Sequence, residues 1–293
     1  ASTGITTVYD ALRIGSIKDG PGGGMPAYAR ALATEILHLH AAGALKISHR
    51  IHLRAEICSD TLEEELDSFG PDDRVGLLSL MDHTPGQRQF TDIGQYEAYI
   101  RGKYAVSKED FDAYVGERIA LGDRVRDRHE AASVAAAQRL GAALASHDDT
   151  TVDHVVRSAG YGITLAEFPT TGEAARACHQ HGIAVMMGAP NLIRGGSHSG
   201  NVAAGDLAEA GLLDVVSSDY VPAALLGSAV KLAGIWGDMA RAVATVTAAP
   251  AKAAGLIDRG RIAEGLRADL IRFRVIEGVP VLRGVWVQGA RVA

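Results

Sequence analysis

Apolar runs that break off at charged or polar side chains recur along this sequence, separated from one another by helix-length segments. The clearest pair lies in residues 182–222: GIAVMMGAP, a Gly- and Ser-rich turn NLIRGGSHSGN, a short helical stretch, then LLDVVSSDYVP. A strand that is apolar on successive residues is buried on both faces, and such strands belong to parallel sheets whose crossovers are helices. Strand, loop, helix, strand is one step of an α/β barrel, where chemistry sits on the loops that follow the strands. Those loops hold Arg194, Gly196, Ser197, His198, Ser199 and Asp219.

The same grammar runs through the rest of the chain. Residues 5–12 (ITTVYDAL) read as a strand, followed by a glycine-rich loop and a helical pattern over 26–42, on which His38 and His40 face different directions as surface or packing residues. In the next strand, 47–57, His52, Arg54 and Glu56 share one face because side chains alternate. Three polar groups on a buried face are costly unless paired or bound to something. Glu56, at the C-terminal end, is a candidate metal ligand; an internal ion pair with Arg54 is the alternative. Residues 74–82 form a very apolar strand that empties into Asp82, His83, Thr84, Pro85, Gly86, Gln87 and Arg88. Asp82, His83 and Arg88 are therefore candidate substrate-binding groups, since site loops combine a turn with polar side chains on a rigid scaffold.

Residues 107–141 are helical in pattern, with a break expected near Gly122 and with His129 on the polar, exposed face. AALASHDDT (142–150) then ends in His147, Asp148 and Asp149, the combination that divalent metal ligation or acid–base work requires. ITLAEFP (163–169) buries a single acid, Glu167, for which metal ligation and a salt bridge to a neighbouring strand both stand open.

Strands near residues 5, 50, 78, 144, 165, 186 and 216 make seven βα units, one fewer than closes a (β/α)8 barrel. From Gly260 the texture changes to short alternating strands with Gly turns. The expected organisation is a barrel catalytic domain over 1–258 and the remainder of a small β domain over 259–293. At 293 residues, 47% of them hydrophobic, the chain has the material for such a core. Its net charge of -6, with both signs dispersed, supplies no basic stripe for nucleic acid, and no apolar run reaches the length of a membrane span. The two cysteines, Cys58 and Cys178, lie too far apart for a paired motif, which suggests a reducing, cytoplasmic setting. A homo-oligomer is left open.

The tail GRIAEGLRADL resembles the closing β segment of the amidohydrolase superfamily, and Asp219 fits that superfamily's acid at the end of the last barrel strand. More narrowly, SLMDHTPGQRQF, ASHDD, AEFPTT, MGAPNLIRGGSHSGNVAA and SSDY resemble the PhnM family of phosphonate catabolism, the α-D-ribose 1-methylphosphonate 5-triphosphate diphosphatases of the carbon–phosphorus lyase pathway. The likeness covers nearly the whole chain. It departs at the start: the family opens with β strands and a first barrel strand bearing a His-x-Asp metal motif, and the sequence from Ala1 contains neither, as expected if the first residues of a longer protein are absent and the missing strand precedes Ala1.

The resemblance implies a metal-dependent hydrolase that cleaves a phosphoanhydride of a ribose triphosphate and releases pyrophosphate. It implies a divalent metal, zinc foremost with manganese or iron also suited, held by Glu56, His147, Glu167 and Asp219. Asp219 is also implied as the base, His198 as the acid, and Asp82, His83, Arg88, Arg194, Gly196, Ser197 and Ser199 as binders of the phosphorylated sugar. Two other classes share these features: an amidohydrolase acting on a C–N bond, which has no use for the arginines, and a non-catalytic barrel subunit of a phosphonate-processing complex, which holds no tight metal.

Overall fold

The computed structural model describes residues 1–18, 20, 24–88, 93–104, 106–197 and 200–293. In chain order its elements are β1 (Thr7–Ile14), α1 (Ala29–Ala41), β2 (Ser48–Glu56), α2 (Leu62–Asp67), β3 (Val75–Met81), α3 (Ile93–Tyr104), α4 (Lys108–Leu140) and β4 (Ala143–His147). There follow α5 (Val152–Gly160), β5 (Leu165–Glu167), α6 (Gly172–Gln180), β6 (Ala184–Gly188), α7 (Ala189–Arg194), α8 (Ala204–Glu209) and β7 (Val215–Ser217). The chain ends with α9 (Ala224–Trp236), α10 (Met239–Ala244), α11 (Ala248–Ala253), β8 (Leu270–Ile276), β9 (Val279–Val287) and β10 (Ala290–Arg291). Strands appear where the apolar runs predict them. Two compact units result, one of Asp10–His38 and Ile51–Asp148, the other of Ala1–Tyr9, Leu39–Arg50 and Asp149–Ala293.

In the first of these units β2, β3 and β4 lie side by side in parallel, with Glu56 opposite Met81 and Leu80 opposite Ser146. All seven residues of β3 are buried, as its unbroken apolar run requires. The parallel register brings three strand C-termini to one end, and with them Glu56, the Asp82–His83 pair and the His147–Asp148 pair.

Helix α4 backs this end. It starts at Ser107, whose side chain accepts from the backbone N–H of Asp110, and stops at Gly141 in the left-handed conformation, so both termini are capped. Between them it runs 33 residues without the break expected near Gly122. Sequence propensity favours a break at an interior glycine, but here the glycine serves packing: a Cβ on Gly122 would stand 2.7 Å from Thr84 Oγ1 and 3.0 Å from its Cγ2. The buried stripe Phe111, Arg118, Gly122, Val125, His129, Ser133, Ala136 and Leu140 repeats at helical spacing. His129 thus lies inside, contrary to its reading as an exposed residue: its Nδ1–H donates to the Ile57 carbonyl at 2.8 Å. Cys58 joins the same layer with Leu121 and Val125, and burial pushes its thiol pKa up to about 11.

In the other unit β5, β6 and β7 are parallel neighbours, with Glu167 opposite Met186 and Gly188 opposite Ser217. Thr151 and Thr171 cap α5 and α6, each accepting from a backbone N–H three residues on. Where a loop is expected after β6, residues 189–194 instead form α7, because Pro190 starts a helix well and Gly195 ends it in the left-handed region. The C-terminal strands β8, β9 and β10 make an antiparallel sheet. Its turns, Glu277–Gly278 and Gln288–Gly289, have positive φ at both positions, the geometry of two-residue hairpins.

Gly122→Ala tests the packing of α4 on Thr84. The exchange gains about 1 kcal/mol of helix propensity and incurs about 1–3 kcal/mol of overpacking against a β-branched neighbour. Urea unfolding is expected to show a net loss of stability; an unchanged or raised midpoint would show that Thr84 yields.

Candidate active site

Glu56 is the anchor of the strand-end cluster. It is 1% exposed, and both carboxylate oxygens accept from one residue: His83 Nδ1–H donates to Oε2 at 2.5 Å and the His83 backbone N–H to Oε1 at 3.2 Å. The Arg54 pairing considered from sequence is not how Glu56 is engaged here. Through Nδ1 the carboxylate fixes how the His83 ring is turned, the arrangement by which carboxylates orient metal-binding imidazoles.

The His147 ring meets the His83 ring edge to face, with centroids 6.1 Å apart. Asp148 Oδ2 lies 3.4 Å from His147 Nε2. Asp148 has φ of 56°, a left-handed conformation that Asp tolerates better than most side chains. Candidate ligand atoms of His83, His147 and Asp148 all fall within 4.8 Å of one another.

The two imidazoles are tuned in opposite directions. Burial, with the positive charges of Arg54, His83 and Arg88, outweighs Asp148 and pushes His147 down to about 3, so this ring is neutral at physiological pH. Burial also pulls His83 down, but the charge and hydrogen bond of Glu56 and the charge of Asp148 reverse it, and its pKa is raised. A neutral imidazole, a second imidazole fixed by a carboxylate and an adjacent Asp fit a divalent metal by donor chemistry. Mixed nitrogen and oxygen donors suit zinc, manganese and iron alike.

Around the cluster, Arg54 Nη2 donates to His147 Nε2 at 3.1 Å and Arg88 Nη1 donates to the His147 carbonyl at 2.7 Å. His52 hydrogen-bonds Ser79 within the sheet. Asp82 is drawn into structural contacts: Oδ2 accepts from Arg126 Nε at 3.0 Å and Oδ1 from the backbone N–H and the hydroxyl of Thr84. Burial alone would raise the Asp82 pKa, yet the Thr84 hydrogen bond and the Arg126 charge hold it below the usual carboxylate range.

The other unit positions its own candidates. Glu167 ends β5 and is 2% exposed. Asp219, at φ 51°, stands against Gly188, where a Cβ would meet its Oδ2 at 2.8 Å, so the glycine makes room for the carboxylate. Arg194 closes α7 and its Nη1 donates to the Tyr220 hydroxyl at 3.0 Å; Gly196 and Ser197 follow it. His198 and Ser199 lie outside the described residues. Asp148, singled out beside His147 from sequence but given no role of its own, joins the cluster. Two contributors were missed: Arg54 could have been found from the face it shares with Glu56, and Arg126 carries no local signal.

No family model matches the chain. It is 43% identical over 294 residues to the α-D-ribose 1-methylphosphonate 5-triphosphate diphosphatase of Escherichia coli (strain K12), a match that covers 99% of this chain and 77% of that protein. Among solved structures it is similar to a dihydropyrimidinase from Brevibacillus agri, at 14% identity, 100% of this chain, 77% of that one and a TM-score of 0.55. A dihydroorotase gives 14%, 100%, 78% and 0.54. These structural likenesses establish the fold: a parallel seven-stranded α/β sheet of the barrel kind, with a small antiparallel C-terminal sheet.

Arg126→Leu leaves Asp82 buried without its cation. The expected loss is about 3 kcal/mol at pH 7, read by urea unfolding. Because the folded-state pKa of Asp82 is depressed, its ionised contacts contribute stability above the unfolded-state pKa and lose it as pH falls through the folded value. The difference between wild type and variant should therefore shrink below about pH 4; a pH-independent difference would remove the ion pair as its cause.

Proposed function

The chain belongs to the family of the α-D-ribose 1-methylphosphonate 5-triphosphate diphosphatases, and from that premise we propose that it hydrolyses the same ribose triphosphate, releasing pyrophosphate. The observation that carries this reading is the cluster of His83, His147 and Asp148 ordered by Glu56, a donor set suited to metal-assisted hydrolysis, in a chain 43% identical to a named diphosphatase. When bound, a divalent ion, which we assign as zinc, supplies positive charge that acidifies water and polarises a phosphoryl oxygen.

The chain's own groups prepare the site for that chemistry. His147 offers an uncharged nitrogen because burial and nearby arginines keep it deprotonated. Glu56 holds His83 through Nδ1 and fixes the orientation of its ring. Arg88 holds the His147 carbonyl with Nη1, and its forked guanidinium is assigned to the phosphate oxygens of the substrate. Hydrolysis breaks one P–O bond of the anhydride, and water supplies both the hydroxyl on the attacked phosphorus and a proton for the products. The family's motifs assign Glu167 and Asp219 as further ligands, Asp219 also as the base and His198 as the acid. They assign Arg194, Gly196, Ser197 and Ser199 to the phosphorylated sugar; Asp82 and His83, expected there from sequence, are instead engaged by Arg126 and Thr84 and grouped with His147 and Asp148 respectively.

Elemental analysis of protein purified without chelator is expected to find a divalent metal, and chelation to abolish pyrophosphate release until metal is returned. His147→Ala should lose most of the bound metal. Asp219→Asn should lower turnover by at least about a hundredfold with the fold intact, as loss of a general base does. Near-normal turnover of that variant would take Asp219 out of the chemistry, and full activity of metal-free protein would refute the reading as a whole.

A further inference from the structure

Arg54 and the metal compete for the same histidine. Arg54 lies two residues before Glu56 on β2, and its Nη2 donates to His147 Nε2 at 3.1 Å. A guanidinium nitrogen can only donate and does not give up its proton, so in this contact Nε2 accepts and its lone pair is engaged, with Asp148 Oδ2 3.4 Å from the same nitrogen. A neutral imidazole has one in-plane lone pair to offer. Metal ligation through Nε2 needs that pair. Ligation through Nδ1 needs the opposite tautomer, in which Nε2 carries the proton and cannot accept from Arg54. Whichever nitrogen ligates, the Arg54 hydrogen bond and the metal bond exclude each other.

The displaced guanidinium keeps its charge and requires another acceptor. Glu56, on the same strand face, already accepts once through each oxygen from His83, and no hydrogen bond or ion pair with Arg54 accompanies those bonds. We propose that Arg54 occupies His147 in the metal-free protein, leaves it when the metal is taken up, and then serves as a ligand for phosphate oxygens of the substrate. The planar fork of Arg matches phosphate geometry, and β2 holds its Cα in place. This rests on the metallohydrolase reading above and adds an ordering to it, since an anion that holds Arg54 also keeps His147 available.

The test is a titration of metal-free protein with zinc alone, against a competing chelator, in wild type and in Arg54→Met and Arg54→Gln. Loss of the competitor and its charge is expected to tighten zinc binding at least about tenfold in Arg54→Met, a gain of about 1.4 kcal/mol. Arg54→Gln, which retains an N–H donor without the charge, should fall between. With zinc saturating, inorganic tripolyphosphate should bind Arg54→Met at least about tenfold more weakly than wild type. Unchanged or weaker zinc affinity in the variants would overturn the competition, and unchanged tripolyphosphate affinity would overturn the second role. If the variants do not fold, nitrogen NMR of metal-free wild type decides: the His147 tautomer protonated on Nδ1 supports the proposal, and the one protonated on Nε2 refutes it. Folded wild type that takes up no zinc refutes the metallohydrolase reading itself, a result distinct from all of these.

Discussion

One carboxylate at the end of β2 accepting twice from one histidine at the end of β3 sets the geometry of this cluster. Glu56 fixes the His83 ring through Nδ1 and its backbone through N–H, so the two strand ends hold a constant relation. The cost of burying Glu56 is offset because the hydrogen bonds are charge-assisted and its partner's protonated state is favoured in return. Parallel pairing of β2, β3 and β4 makes the contact possible, since it places three strand C-termini at one level.

Electrostatic tuning follows from that arrangement. His83 stands beside Glu56 and Asp148 and is pulled toward its protonated form, while His147, buried among Arg54, Arg88 and His83, is held neutral. Two like side chains whose rings are 6.1 Å apart are given different protonation preferences by their neighbours, a separation typical of sites built for distinct roles. Left-handed backbone recurs just past strand ends, at Asp148, Phe168 and Asp219. Each redirects the chain where a buried strand opens into a loop, and for the two aspartates the residue type lowers the cost of that conformation.

Helix α4 supplies the support behind the cluster. From a single stripe it sends Arg126 to Asp82, packs Gly122 on Thr84 and brings His129 to the Ile57 carbonyl. The loop residues on either side of Glu56 and His83 are thereby tied to one rigid element. Asp82 contributes to this framework through contacts within the protein, which is a sufficient reason for a buried acid at that position.

Local pattern made the strands, their order along the chain and the polar residues at their ends legible, because burial on both faces leaves unbroken apolar runs and strand termini are where polarity resumes. Glu56, His83 and His147 stood out for that reason. Partner choice was decided by tertiary structure alone. Arg54 shares a strand face with Glu56 yet bonds to His147, Gly122 sits in an unbroken helix because Thr84 needs its space, and His129 is buried although its neighbours in sequence are charged. Each of these depends on a distance between segments tens of residues apart, which parallel register and helix docking set and which no local periodicity encodes.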